Sequence, residues 1–236
     1  MEVYEINAYH EVEAWKKKLM KRTGMLSRFS KTTQNKINSV IPEKIHGIIT
    51  ESIKNMVKTT LAGSDLTTKA KDVTGFTFEQ KEKEVMKKIA VYQKTATIEG
   101  AGTGAGGLLL GLADFPLLLS IKMKLLFEMA TLYGFNVKDY EERVYLLYVF
   151  QLAFSSDEKR METYRILENW EQEKEQYLEV DWRVFQQEYR DYIDLIKMFQ
   201  MVPGIGAMVG AYANYNLVQH LGNTAMNCYR MRMLDK

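Results

Sequence analysis

Two stretches of this 236-residue chain are too poor in charge and too rich in glycine to be ordinary surface helices, and they restrict how everything else can be arranged. The first, GAGTGAGGLLLGLADFPLLLSI from Gly100 to Ile121, carries one charge, Asp114. The second, MVPGIGAMVGAYANYNLVQHL from Met201 to Leu221, carries none beyond whatever fraction of His220 is protonated. Gly100 and Gly104, Gly102 and Gly106, Gly107 and Gly111, and Gly206 and Gly210 are each four apart, which puts each pair on one helical face and lets another backbone approach. A helical glycine costs about 0.5–1 kcal/mol relative to alanine, so its repeated use needs a close contact, or a non-helical backbone, to offset it. The two stretches are therefore expected to pack on each other.

Three readings compete for the first stretch. A membrane-spanning helix needs about 20 apolar residues, a length this segment has, but Asp114 and Pro116 divide it and Lys122 and Lys124 soon follow. A helical hairpin, buried or re-entrant, fits the division, with Asp114 capping the helix that begins at Pro116. A nucleotide loop would use Gly102, Gly104 and Gly107 as G-x-G-x-x-G, but that fingerprint follows a strand, and Lys87–Glu99 reads as helix.

Helix dominates the rest. Tyr4, Ala8, Val12, Trp15 and Leu19 recur at three and four, the spacing of one amphipathic face. Further helices are predicted near 43–62, 79–98, 115–133, 140–154, 158–178, 182–198 and 203–232, with a connector from Gly63 to Thr77 and no strand signal. Pro42, Pro116 and Pro203 each stand where a helix can begin, because a missing N–H costs nothing in a first turn. With 46% apolar and 11% aromatic residues the chain can supply a core. The expected fold is all-α: a single helical domain over 41–236, its two glycine-rich segments packed together, with 1–40 as a basic amphipathic arm. If the connector held an amino-terminal piece apart, Val73, Phe76 and Phe78 would need another partner.

Charge is unevenly spread. Before residue 95 there are 18 Lys and Arg against 11 Asp and Glu, and after it 14 against 19. From Ala14 to Pro42 the chain holds Lys16, Lys17, Lys18, Lys21, Arg22, Arg28, Lys31 and Lys36 with no acid, interleaved with Trp15, Leu19, Met20, Met25, Leu26 and Phe29. That composition suits a segment lying at an anionic membrane surface, where each cation contributes about 1 kcal/mol, and it also suits a solvated arm. Nucleic acid would attract the same cations, but the chain has no recognition motif and its remainder is net acidic, which argues against it.

Catalytic residue types are sparse. His10, His46 and His220 are scattered, H-E-x-x-H is absent, and the single Cys228 rules out an intramolecular disulfide and points to a reducing compartment. Glu141 with Glu142 reads as a solvated first-turn pair. No motif calls for a metal or cofactor, and none is expected. Glu2, Glu5, Glu11 and Glu13 follow Met1 with no apolar run of the signal-peptide kind.

The run from Gly100 to Phe135, GAGTGAGGLLLGLADFPLLLSIKMKLLFEMATLYGF, followed by PGIGAMVGAYANYNLVQHLG from Pro203 to Gly222, resembles the EcsC family of bacterial proteins over most of the chain. Gly102, Gly104, Gly107, Asp114, Pro116, Gly206, Gly210 and Asn214 are the positions that carry the match. The resemblance implies a context of ABC-type transport, beside an ATPase and a membrane subunit, and supplies no reaction. The expectation is a non-catalytic, cytoplasmic accessory protein, peripheral to the inner face of the cell membrane, contacting anionic lipid through Trp15, Lys16, Lys17, Lys18, Lys21, Arg22, Arg28 and Lys31. The alternative is an enzyme acting on lipid or peptide, its site assembled from residues distant in sequence.

Overall fold

A computed structural model describes residues 2–21, 43–63, 72–104, 115–155, 157–179 and 206–234. Among them are eight α-helices, one 3-10 turn and no strand. They are α1 (Val3–Lys21), α2 (Glu43–Ala62), α3 (Phe78–Gly104), α4 (Phe115–Tyr133), α5 (Tyr140–Phe154), α6 (Asp157–Glu168), the single turn α7 (Trp170–Glu173) and α8 (Gly206–Leu234). The spans expected for α2, α4 and α5 coincide with those observed, and Pro116 lies in the first turn of α4. The helix expected at 182–198, together with Pro42 and Pro203, lies outside the described residues.

The buried helix α5 organises the bundle. Only Tyr140 on it is exposed, and an apolar run such as VYLLYVFQLAF, hydrophobic all round, can be satisfied only by neighbours on every side. Those neighbours include α2, α4, α6 and α8. Helices α3 and α8 run antiparallel in the most extensive helix pair among the described residues: Glu82 meets Arg230, Ile89 lies against Gly222, and Gln93 Nε2 donates to Gln219 Oε1 at 2.6 Å.

Local signals fix the helix ends. Thr77 and Gln80 form a reciprocal capping box at the start of α3, with Thr77 N–H donating to Gln80 Oε1 at 2.9 Å and Gln80 N–H donating to Thr77 Oγ1 at 3.3 Å. At the end of α4, Gly134 takes φ +97°, which only glycine adopts without strain, so that the Phe135 amide can donate back to the Ala130 carbonyl at 3.0 Å.

The same pairings give the bundle two ends. At the base are the start of α3, the ends of α2, α4 and α8, and the start of α5, where Arg143 Nε donates to the Leu61 carbonyl at 2.8 Å. Helix α1 docks at this end: Tyr4 bonds Glu82, Glu11 pairs with Arg230, and Trp15 meets the Tyr164 ring edge-on at 6.2 Å. Phe78 is thereby covered by Tyr4 from α1 and by Tyr133, while Val73 packs against the core. At the opposite end, the apex, are the end of α3 and the starts of α2, α4 and α8. Because α5 ends level with His220, whose Nε2 lies 2.8 Å from the Ala153 carbonyl, roughly 20 Å of α8 rises beyond it.

Two expectations need correction. The helix predicted over 158–178 breaks at Asn169, where the turn lets Trp170 insert between Tyr145, 5.3 Å away, and Tyr148, 5.9 Å away. Glu141 and Glu142 do not form one solvated pair: Glu141 is bonded by Lys174, whereas Glu142 points into the core.

Candidate functional site

The base is dense with buried charge. Arg230 donates from Nε and Nη2 to the two oxygens of Glu82, each at 2.7 Å, and from Nη1 to Glu11 at 2.6 Å. The Tyr4 and Tyr133 hydroxyls donate to the same Glu82 carboxylate at 2.8 and 2.9 Å. Beside this cluster, Glu142 accepts from Tyr229 at 2.5 Å and from Arg232 at 2.8 Å, and Arg232 also donates to Glu171. The Arg232 guanidinium lies 4.0 Å from the Phe135 ring centre and 4.2 Å from that of Tyr145. Tyr133 and Tyr229, stacked at 5.0 Å, join the two clusters. Burial raises the Glu142 carboxyl, with Arg232 opposing the shift, and burial with the Glu82 bond pushes Tyr4 up to about 12. Each of these charges is matched and hydrogen-bonded, which is what a buried ion pair requires to persist. The arrangement is a structural lock.

Nucleophiles and metal ligands are placed apart. Cys228 is fully buried and burial holds its thiol well above the ordinary range, the opposite of an activated thiol. His10 is exposed and His220 is tied to Ala153, while the His46 side chain lies outside the described residues. Among the described residues no group of three or more His, Cys, Asp or Glu is disposed to hold a metal ion.

Between α2 and α4 runs an open groove of about 340 Å³ lined by Glu51, Ser52, Asn55, Thr59, Pro116 and Ser120, with Met56 and Met123 at its floor. Its lining brings Pro116, one of the matched positions, beside polar side chains of α2.

The apex is different in kind. Helix α8 has no Asp, Glu, Lys or Arg from Gly206 to Tyr229, and α4 has none before Lys122. Yet this end shows large apolar side chains to solvent: Ile98 at 72% exposure, Tyr212 at 71%, Leu117 at 44% and Tyr215 at 42%. Among the described residues no helix is long and apolar enough to cross a membrane.

Trp15, expected at a membrane surface, is half-buried against the core, and Lys16 pairs with Glu13 at 3.1 Å and approaches Glu168 at 4.0 Å. Lys17 and Lys18 are exposed; Lys21 ends α1; Arg22, Arg28 and Lys31 lie outside the described residues. Gly102 and Gly104 fall in the last turn of α3, Gly206 and Gly210 in the first turns of α8, and Asn214 is buried on α8. Gly107 and Asp114 lie outside the described residues. The structure thus brings the helical ends of both glycine-rich stretches to the apex and α1 to the base. Sequence reasoning missed Ile98, Leu117, Tyr212 and Tyr215, because a helix apolar on several faces gives no sign of which face is left uncovered.

The EcsC protein family model matches residues 6–234. Protein EcsC of Bacillus subtilis (strain 168) is 53% identical over 226 residues, covering 96% of this chain and 94% of that protein. The uncharacterized protein YdbA of the same organism is 32% identical over 144 residues, 59% of this chain and 53% of its own. No solved structure matches the chain. With a family model spanning nearly all its residues and a relative matched almost end to end, the chain belongs to the EcsC protein family.

Proposed function

We propose that the protein is a non-catalytic accessory protein that associates with the inner face of the cell membrane from the cytoplasmic side, with anionic lipid as its direct partner and the subunits of an ABC-type transporter as the assembly it serves. The observation that carries the membrane reading is the acid-free run of eight cations from Lys16 to Lys36, which presents Lys17 and Lys18 to solvent. Cations in such a run gain by approaching an anionic leaflet, and that gain is screened over about 10 Å at 0.1 M salt. The transport context is supported by the family resemblance, and the lock at the base suits a rigid scaffold.

Co-sedimentation with phosphatidylglycerol vesicles tests the reading. The protein is expected to pellet with them at low salt and to be released as salt rises. Joint replacement of Lys17, Lys18, Lys21 and Arg22 by Gln weakens binding. Recovery of the wild-type protein in the supernatant regardless of vesicles refutes it.

A further inference from the structure

We infer that the apex is the face that meets the lipid, its exposed Ile98, Leu117, Tyr212 and Tyr215 entering the interface while the acidic first half of α1 stands away from it. This rests on the membrane association proposed above and specifies its geometry.

Three observations converge on that end. The four apolar side chains come from three different helices, share one end of the bundle and are exposed there. The chain leaving α3 at Gly104 and entering α4 at Phe115 reads AGGLLLGLAD, with four leucines and one charge, and the chain entering α8 at Gly206 reads MVPGI, with none. The helix ends that flank these stretches, Gly104, Phe115 and Gly206, lie at the apex. Third, Arg143 donates both to the Leu61 carbonyl at the end of α2 and to the Val137 carbonyl just beyond α4, so α2 runs parallel to α4 and its first residue Glu43, at which the acid-free run ends in the sequence, lies at the apex. Apolar side chains left open at one end can hold an interface, and an acid-free run of cations in the same chain adds attraction to an anionic leaflet. Tyr212 and Tyr215 suit such a level, since an aromatic ring with a polar tip prefers the headgroup region.

The rival surface is the outer side of α1, which exposes Val3, Ile6 and Tyr9. That helix carries Glu2, Glu5, Glu11 and Glu13 in its first half, which an anionic leaflet repels. Glu11 fixes it near Arg230, eighteen residues down α8 from Tyr212, or roughly 27 Å at the helical rise. The two surfaces therefore give different answers when probed separately.

Because Cys228 is fully buried, a cysteine introduced at the surface is the one a maleimide reaches in the native full-length protein. Ile98→Cys, Tyr212→Cys and Ile6→Cys, each carrying an environment-sensitive fluorophore, are mixed with vesicles of equimolar phosphatidylglycerol and phosphatidylcholine. A blue shift at 98 and 212, quenched by doxyl-labelled lipid, with neither effect at 6, is the expected result. A response at 6 equal to or greater than that at 98 overturns the orientation while leaving membrane association standing. A response at 98 and 212 in native membranes but not in lipid vesicles assigns the apex to a membrane protein and overturns the lipid assignment. Failure of the unlabelled protein to bind vesicles overturns both. In a second arm, Ile98→Asp with Tyr212→Asp is expected to lower vesicle affinity at least tenfold, while Val3→Ser with Ile6→Ser leaves it within twofold; the reverse order overturns the inference.

Discussion

Arg230 grips Glu82 through two parallel hydrogen bonds of 2.7 Å, and the Glu82 side chain has no solvent exposure. The two residues lie 148 positions apart in the chain, so the contact ties the first half of the molecule to its last helix. Removing one partner of a buried pair strands the other charge, at a cost of about 3–5 kcal/mol.

Arg230→Met is accordingly expected to lower stability by about that amount, and Glu82→Leu with Arg230→Met to be less damaging than Arg230→Met alone, since only the exposed Glu11 then loses its partner and no buried charge does. Urea denaturation of the three proteins decides it. A double variant weaker than both single variants would show that the pair contributes more than its own desolvation removes.

Gly222 faces Ile89 so closely that a Cβ would stand 2.8 Å from both Cγ1 and Cδ1 of that side chain. Alanine exceeds glycine in helix propensity by about 1 kcal/mol, but the β-branched Ile89 cannot swing its γ carbons aside cheaply. Gly222→Ala is predicted to lower the unfolding free energy by about 1–3 kcal/mol, with Ile89→Ala in the same chain recovering part of the loss. A thermal midpoint above wild type for the single variant would reject the contact.

The register set by Glu82 with Arg230, Ile89 with Gly222, and Gln93 with Gln219 can be continued along both helices, and it sets Gly102 level with Gly210. Leucine at either position should then overpack the helix pair and lower the melting temperature. If both glycines faced open space, leucine would raise helix propensity and the melting temperature with it. The sign of the change decides the question.

Lys122 is only 4% exposed, lies 5.3 Å from the Phe154 ring centre, and is brought by burial from 10.5 down to about 8. Between those two values the unfolded chain holds the proton and the folded one does not, so stability rises with pH across that window and its full deficit is present below about 8. Relative to Lys122→Met, the wild type is predicted to gain stability as pH climbs from about 8 toward 10.5. Paired urea titrations across that range that keep a constant difference would contradict the depressed pKa.

The helices α2, α4 and α5 were legible because their apolar segments are bounded by strong stops, such as Gly63 after α2 and Gly134 after α4. The break at Asn169 was not legible. Nothing in LENWEQEKEQY outweighs helix propensity locally; a tertiary site waiting for Trp170 does. Glu142 escaped for the same reason: its partners, Tyr229 and Arg232, lie about 90 residues away, and a single sequence carries no record of such pairs. The exposed apolar side chains of the apex were hidden by the opposite problem. In segments apolar on several sides, composition says that something must cover them without saying which side chains the protein itself leaves open.

The uneven placement of charge along α8 also grades how the helix comes apart. Its last two turns are clamped by Glu82, Glu11, Glu142 and Glu171, while the stretch from Asn214 to Gln219 has no ionic tie of its own. Local openings start where the fewest contacts must break at once. Amide protons of that stretch should therefore exchange with solvent deuterium through partial fraying from the apex, whereas those of Ala225 to Met231 should wait for the whole bundle to unfold. One continuous helix would then hold both an early-opening and a late-opening part of the molecule.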